Sequence, residues 1–150
     1  ESIAEIVVGK GAMIYKDITL YGTPGANSNL HINIENGYKG RITLENISLT
    51  NDRMCPAVEV GENSDVTLVL SGDNVLMNSG IIVPMTSKLT IEGDGNMVIV
   101  LNSPEFCGIG NLPDSSAGEL IFAQSGTIEI KGHGNSGICI GSGKGFSGYG

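Results

Sequence analysis

Short runs of alternating apolar and polar residues recur along the chain, and five of them carry a related triplet: Ile18-Thr19-Leu20, Ile42-Thr43-Leu44, Val66-Thr67-Leu68, Leu89-Thr90-Ile91 and Leu120-Ile121-Phe122. The triplets start 24, 24, 23 and 31 residues apart. Each interval holds two further strand-like runs, such as Ile47 to Leu49 and Ala57 to Val60, separated by Gly, Asn and Asp corners. Three short strands in about 24 residues predict one coil of a parallel β-helix, whose coils stack about 4.8 Å apart through main-chain hydrogen bonds. The expected fold is all-β: a right-handed parallel β-helix (solenoid) of about five coils over residues 18–150, preceded by a capping segment over residues 1–17.

The third run of each interval tests this reading. Aligned on their ends, these runs give one column of Val58, Ile81, Cys107 and Ile138 and a second of Val60, Val83, Ile109 and Ile140. Both columns are apolar, as an inward face requires, whereas the alternate column, Glu59, Ile82, Gly108 and Cys139, is mixed. Ile82 and Cys139, where they face outward, suggest an apolar strip in contact with a neighbouring subunit, a domain or the Asn102 to Gly118 stretch. The surplus of the 31-residue interval falls at Asn102 to Gly118, a Pro- and Ser-bearing stretch expected to protrude as one loop. Ile3, Ile6, Val7 and Val8 are expected to cover the apolar end of the first coil. Before Ile42 a second phasing competes, because Leu30-His31-Ile32-Asn33-Ile34 also fits the triplet position. Gly141 to Gly150 offers no polar cap, which implies self-association or continuation of the stack through an open C-terminal coil, and so a truncated repeat array.

Composition sharpens the class. The chain's 150 residues include 18 Ile, 10 Val and 8 Thr but only six Ala and no Trp, an alphabet poor for helical bundles. Glycine, at 23 residues without a G-X-Y period, excludes collagen. The net charge of −8 and scattered basic residues argue against nucleic acid, whose phosphates need a basic stripe. The longest apolar run, Met97 to Leu101, is too short for a membrane span.

The segment from Ile42 to Gly145 combines Leu-Thr-Ile-like triplets, corners such as Ser71-Gly72-Asp73-Asn74 and Glu92-Gly93-Asp94-Gly95, and the run Cys55-Pro56-Ala57-Val58-Glu59-Val60-Gly61. In this it resembles the right-handed β-helix carbohydrate-binding-domain proteins on the surface of anaerobic Gram-positive bacteria. The resemblance implies an extracellular or cell-surface, non-enzymatic module that binds polysaccharide, including acidic, pectin-like chains bridged by Ca²⁺.

Candidate chemistry is sparse. Asp73 and Asp94 sit in comparable glycine-rich corners, and Asp52 at the corner of the coil before them. Stacked carboxylates repel, and a Ca²⁺ ion with oxygen ligands would relieve this and bridge to a uronate, whereas Asp-Gly and Asp-Asn are also plain turn formers. Tyr21 and Tyr38 flank the polar Gly22 to Asn29 stretch and are candidate sugar contacts, unless they pack over corners or the cap. Arg53 beside Asp52 is the third candidate ligand contact and the best pair for a lyase-like reading, in which a base removes the proton beside a uronate carboxyl. The odd count of Cys55, Cys107 and Cys139 allows one disulfide plus a free thiol, or an intermolecular link, and three thiols are the favoured reading. His31 and His133 lie in no catalytic motif, and Gly132 to Gly137 matches GxGxxG but leads into a strand. Asn46-Ile47-Ser48 is a sequon with meaning only in a eukaryotic source. Three functional readings follow: a polysaccharide-binding module first, then a stalk, adhesin or fibre segment with no glycan ligand, and last a fragment of a polysaccharide lyase-like enzyme.

Overall fold

A computed structural model describes residues 5–9, 17–50, 55–103, 106–132 and 140–141. Every described element is a β-strand: β1 (Glu5–Val8), β2 (Ile18–Tyr21), β3 (His31–Ile34), β4 (Lys39–Glu45), β5 (Ser48–Thr50), β6 (Val58–Val60), β7 (Asp65–Ser71), β8 (Asp73–Asn78), β9 (Ile81–Ile82), β10 (Lys88–Gly93), β11 (Asn96–Leu101), β12 (Ile109–Gly110), β13 (Glu119–Phe122), β14 (Ile128–Gly132) and β15 (Ile140–Gly141). They form three parallel sheets: sheet A in the order β1-β3-β6-β9-β12-β15, sheet B in the order β13-β10-β7-β4-β2, and sheet C in the order β14-β11-β8-β5. The chain visits B, C and A in turn and climbs one rung per circuit, which is a parallel β-solenoid. No described helix is long and apolar enough to cross a membrane.

The winding makes about four turns, slightly fewer than the five coils expected. The first circuit gives sheet C only the single bridge Ser28↔Leu49, and the last is described at just two residues of its third strand. The expected lid at the first coil is itself a rung. Strand β1 pairs in parallel with β3, Ile6 against Ile32 and Val8 against Ile34, so it lengthens sheet A. Strand β3 belongs to sheet A as well, which removes the competing phasing of Leu30 to Ile34 as a triplet.

Alternation drives the packing. In β4 and β7 the inward positions Ile42, Leu44, Val66, Leu68 and Leu70 are at most 1% exposed, while the residues between them face out. The register differs from the triplet alignment at two places. Ile42 pairs with Leu68 and Leu44 with Leu70, two residues on from the Val66-Thr67-Leu68 alignment. Ile109, not Cys107, pairs with Ile81, and Ile140 continues that column. Both shifts are by two residues, so every side chain keeps its face and the apolar columns survive. Strands β4 and β7 have seven residues and three inward positions each, so a triplet can occupy either half.

Tyr38 accounts for the offset in β4. Its ring is 1% exposed and turned into the first coils, and a Cβ on Gly40 would lie 2.9 Å from its Oη and one on Gly9 2.6 Å from its Cδ2. Gly40 therefore stands where the next strand places Val66. The loop expected over Asn102 to Gly118 is two insertions, one on each side of β12 (Ile109–Gly110). The second holds its end by Gly118 N–H donating to the Val83 carbonyl at 3.1 Å and by an antiparallel bridge between Pro84 and Ala117.

Candidate functional site

The corner between sheets B and C gathers more of the singled-out residues than any other described part of the surface. Tyr21, Glu45 and Ser71 follow one another in register at the ends of β2, β4 and β7. Asp94 and Ser125 continue this line past β10 and β13. Next comes a seam of Gly22, Gly72, Gly95 and Gly126, where the chain turns so tightly that a methyl on Gly22, Gly95 or Gly126 would overlap backbone of the adjacent rung. Beyond it lies a second polar line of Asn46, Asp73, Asn96 and Thr127. The sequence folds this way because Asn46 and Gly72 adopt left-handed φ values of 54° and 64°, which asparagine and glycine tolerate best.

Hydrogen bonds tie the second line together. Asp73 N–H donates to Asn46 Oδ1 at 3.2 Å, Asn96 Nδ2 to Asp73 Oδ1 at 3.0 Å, and Thr127 N–H to Asn96 Oδ1 at 3.0 Å. One position further in, Asn74 is 1% exposed. Its Oδ1 accepts from Ile47 N–H at 2.9 Å, and its Nδ2 donates to the carbonyls of Ser71 and Asn96, each at 3.2 Å. These side chains replace the ladder bonds that the corners interrupt. Sequence reading missed Asn74 because a buried amide looks like a turn former when it follows Gly-Asp. The sequon at Asn46 is part of the same clamp: Ile47 is buried and Ser48 Oγ donates to Asn27 Oδ1 at 2.5 Å.

Of the expected ligand contacts, Tyr21 is 73% exposed at the head of the first line, whereas Tyr38 is buried in the core and offers no ring face to a sugar. Arg53 and Asp52 lie outside the described residues. Asp73 and Asp94 are both exposed, yet they do not stack. Asp73 pairs with Asn96, and Asp94 falls two residues earlier, past the Gly93–Leu70 pair. The Asp73 carboxylate already accepts a hydrogen bond from Asn96. Ca²⁺ prefers several oxygen ligands converging on one point, and among the described residues no three acidic, His or Cys side chains do so. Asp73 and Asp94 thus occupy different positions of the corner on adjacent rungs.

Sheet B presents a second polar surface outward. Lys39, Asp65, Lys88 and Glu119 alternate in charge down one column, and Arg41 Nη2 lies 3.0 Å from Glu92 Oε2 two rungs away. This pattern reads as cross-strand pairing rather than as a catalytic pair. His31 is 7% exposed and its Nε2 lies 3.2 Å from Glu5 Oε2, which ties β1 to β3; His133 lies outside the described residues. Ile82 is 5% exposed, so it is covered within the chain and forms no open strip; Cys139 lies outside the described residues. The three-thiol expectation is overturned: Cys107, 2% exposed, is disulfide-bonded. No CxxC spacing in the sequence announces this bond.

Comparison with known protein families, with curated proteins and with solved structures gave no match.

Proposed function

We propose that this chain is an extracellular carbohydrate-binding module that holds a polysaccharide along the ridge between sheets B and C. One observation carries the reading. Hydroxyl, amide and carboxylate side chains repeat there at the rung spacing, in two lines running with the solenoid axis, with Tyr21 73% exposed at one end. An extended sugar chain repeats its hydroxyl groups at a comparable interval, and a linear ligand suits a linear ridge better than a pocket. The surface location rests on the resemblance to β-helix surface proteins.

Glu45, Asp73 and Asp94 put one carboxylate on each of three successive rungs, which favours a hydroxyl-rich neutral chain over a uronate. The test is a panel of immobilised polysaccharides, neutral glucans and mannans beside polygalacturonate, the latter with and without millimolar Ca²⁺. Binding to a neutral chain that falls several-fold in Tyr21→Ala and Asp94→Ala supports the reading. Binding to polygalacturonate only with Ca²⁺ restores the acidic, calcium-bridged form. Binding unaffected by either substitution removes the ridge from consideration. A non-catalytic role is part of the same proposal, and unsaturated product released from polygalacturonate would overturn it.

A stalk or fibre segment is the second reading, favoured by one gradient. Phe122 and Ile140, inward in register, are 41% and 56% exposed, whereas Ile91 and Ile109 one rung earlier are 1% and 0%. That end of the described ladder accepts a further rung. No signal on any glycan, together with association that grows with concentration, selects this reading.

A further inference from the structure

The outer face of sheet C differs in kind from the outer face of sheet B. Beside the polar column of Asp73 and Asn96 that belongs to the ridge, its two other outward columns run Ser48, Val75, Val98, Glu129 and Thr50, Met77, Val100, Lys131. Their two middle rungs are wholly aliphatic and only half-buried, so they form a flat apolar square of Val75, Met77, Val98 and Val100. Glu129 and Lys131 close it on one side, both more than half exposed and 3.3 Å apart.

We propose that this face is a self-docking surface for a second copy of the chain, related by a two-fold axis parallel to the solenoid axis. Charge complementarity selects both the occupant and the axis. Such a two-fold lays each column against the other column of the partner, rung on rung. Glu129 then meets the partner's Lys131, Lys131 meets the partner's Glu129, Val75 meets the partner's Met77, and Val98 meets the partner's Val100. Within these two columns each charge finds its opposite and each aliphatic side chain an aliphatic one, as an isologous interface requires. A two-fold at right angles would set Glu129 and Lys131 over the partner's Ser48 and Thr50 and leave both without a counter-charge across the interface.

Four strands about 4.8 Å apart and some 20 Å long give roughly 400 Å² per copy, about half of what a stable complex buries on each side. The dimer is therefore weak and concentration-dependent, and the two-fold sets the two ridges at opposite edges of the interface, facing away from each other. The self-docking itself does not depend on the glycan reading.

Sedimentation velocity over a concentration series, with the full chain at low and high salt, tests the proposal. The wild type is expected to associate reversibly, and less so at high salt. Lys131→Glu and Glu129→Lys each place like charges opposite each other in their own dimer and should weaken association at least tenfold. Mixing the two single variants should restore it as a heterodimer in native mass spectra, and the double exchange Glu129→Lys with Lys131→Glu should restore it as a homodimer. A wild type that stays monomeric up to millimolar concentration overturns the proposal, and so does a dimer indifferent to the charge exchanges. Unchanged thermal melts of the variants would show that the fold is intact.

Discussion

Asn74 is the most informative single side chain to remove. It lies 1% exposed in an inward column with Ile47 and Met97 as neighbours, and it joins three successive coils through Ile47 N–H, the Ser71 carbonyl and the Asn96 carbonyl. In Asn74→Ala the Ile47 N–H loses its acceptor inside the stack, and an orphaned buried donor costs about 1–3 kcal/mol. The Ser71 carbonyl keeps a donor in Asn46 N–H at 3.3 Å, so the two lost donations add only about 1 kcal/mol in total. The expected loss is therefore about 2–4 kcal/mol, read by urea unfolding followed by far-ultraviolet circular dichroism. Asn74→Leu separates packing from polarity: it refills the column in the manner of Met97, and it should still lose about 1–3 kcal/mol because the Ile47 donor stays orphaned. An Asn74→Ala protein within about 0.5 kcal/mol of wild type, the range of an ordinary surface substitution, would refute the clamp.

Gly95→Ala should fail to give a native melt or lose several kcal/mol, on the order of the largest single-site effects, because its Cβ would lie 2.6 Å from the Ser71 backbone nitrogen. Gly25→Ala, with open space around it and only a left-handed φ of 79° to oppose it, should cost about 1 kcal/mol, and the contrast can be read in one set of thermal melts. Ser87→Ala should cost about 2 kcal/mol, since Ser87 Oγ both donates to the Gly61 carbonyl at 2.7 Å and accepts from Ser64 N–H at 3.1 Å in a buried corner. Alkylation of the unfolded, unreduced chain followed by peptide mass spectrometry should label Cys55 and leave Cys107 unlabelled until a reductant is added.

The solenoid was legible because its cause is local and repeated. Apolar residues at alternate positions in Ile42-Thr43-Leu44 and Leu89-Thr90-Ile91 specify which face turns inward, and these residues are at most 1% exposed when inward. Register was less legible. A slip of two residues preserves that face, so the pairing of Ile42 with Leu68 rather than with Val66 left no trace in the hydrophobic pattern. What decides it is three-dimensional: Tyr38 folds inward and takes the volume over Gly40. The same limit affected the site. Asp73 and Asp94 sit in look-alike Gly-Asp corners, but the residues between strand end and corner differ, and Asp73 meets Asn96 instead of Asp94. Tyr21 and Tyr38 were indistinguishable as sequence neighbours of one polar stretch, and only the inward turn of the second separates them.

The ridge and the self-docking face both derive from one pairing scheme, so through-space proton contacts across neighbouring strands, measured by nuclear magnetic resonance on the labelled chain, test it most directly. Backbone contacts are expected to link Thr43 to Val69, Val75 to Val98 and Asp73 to Asn96, in the one-directional pattern of parallel strands. Contacts linking Thr43 to Thr67, or paired α-proton contacts of antiparallel hairpins, would contradict it.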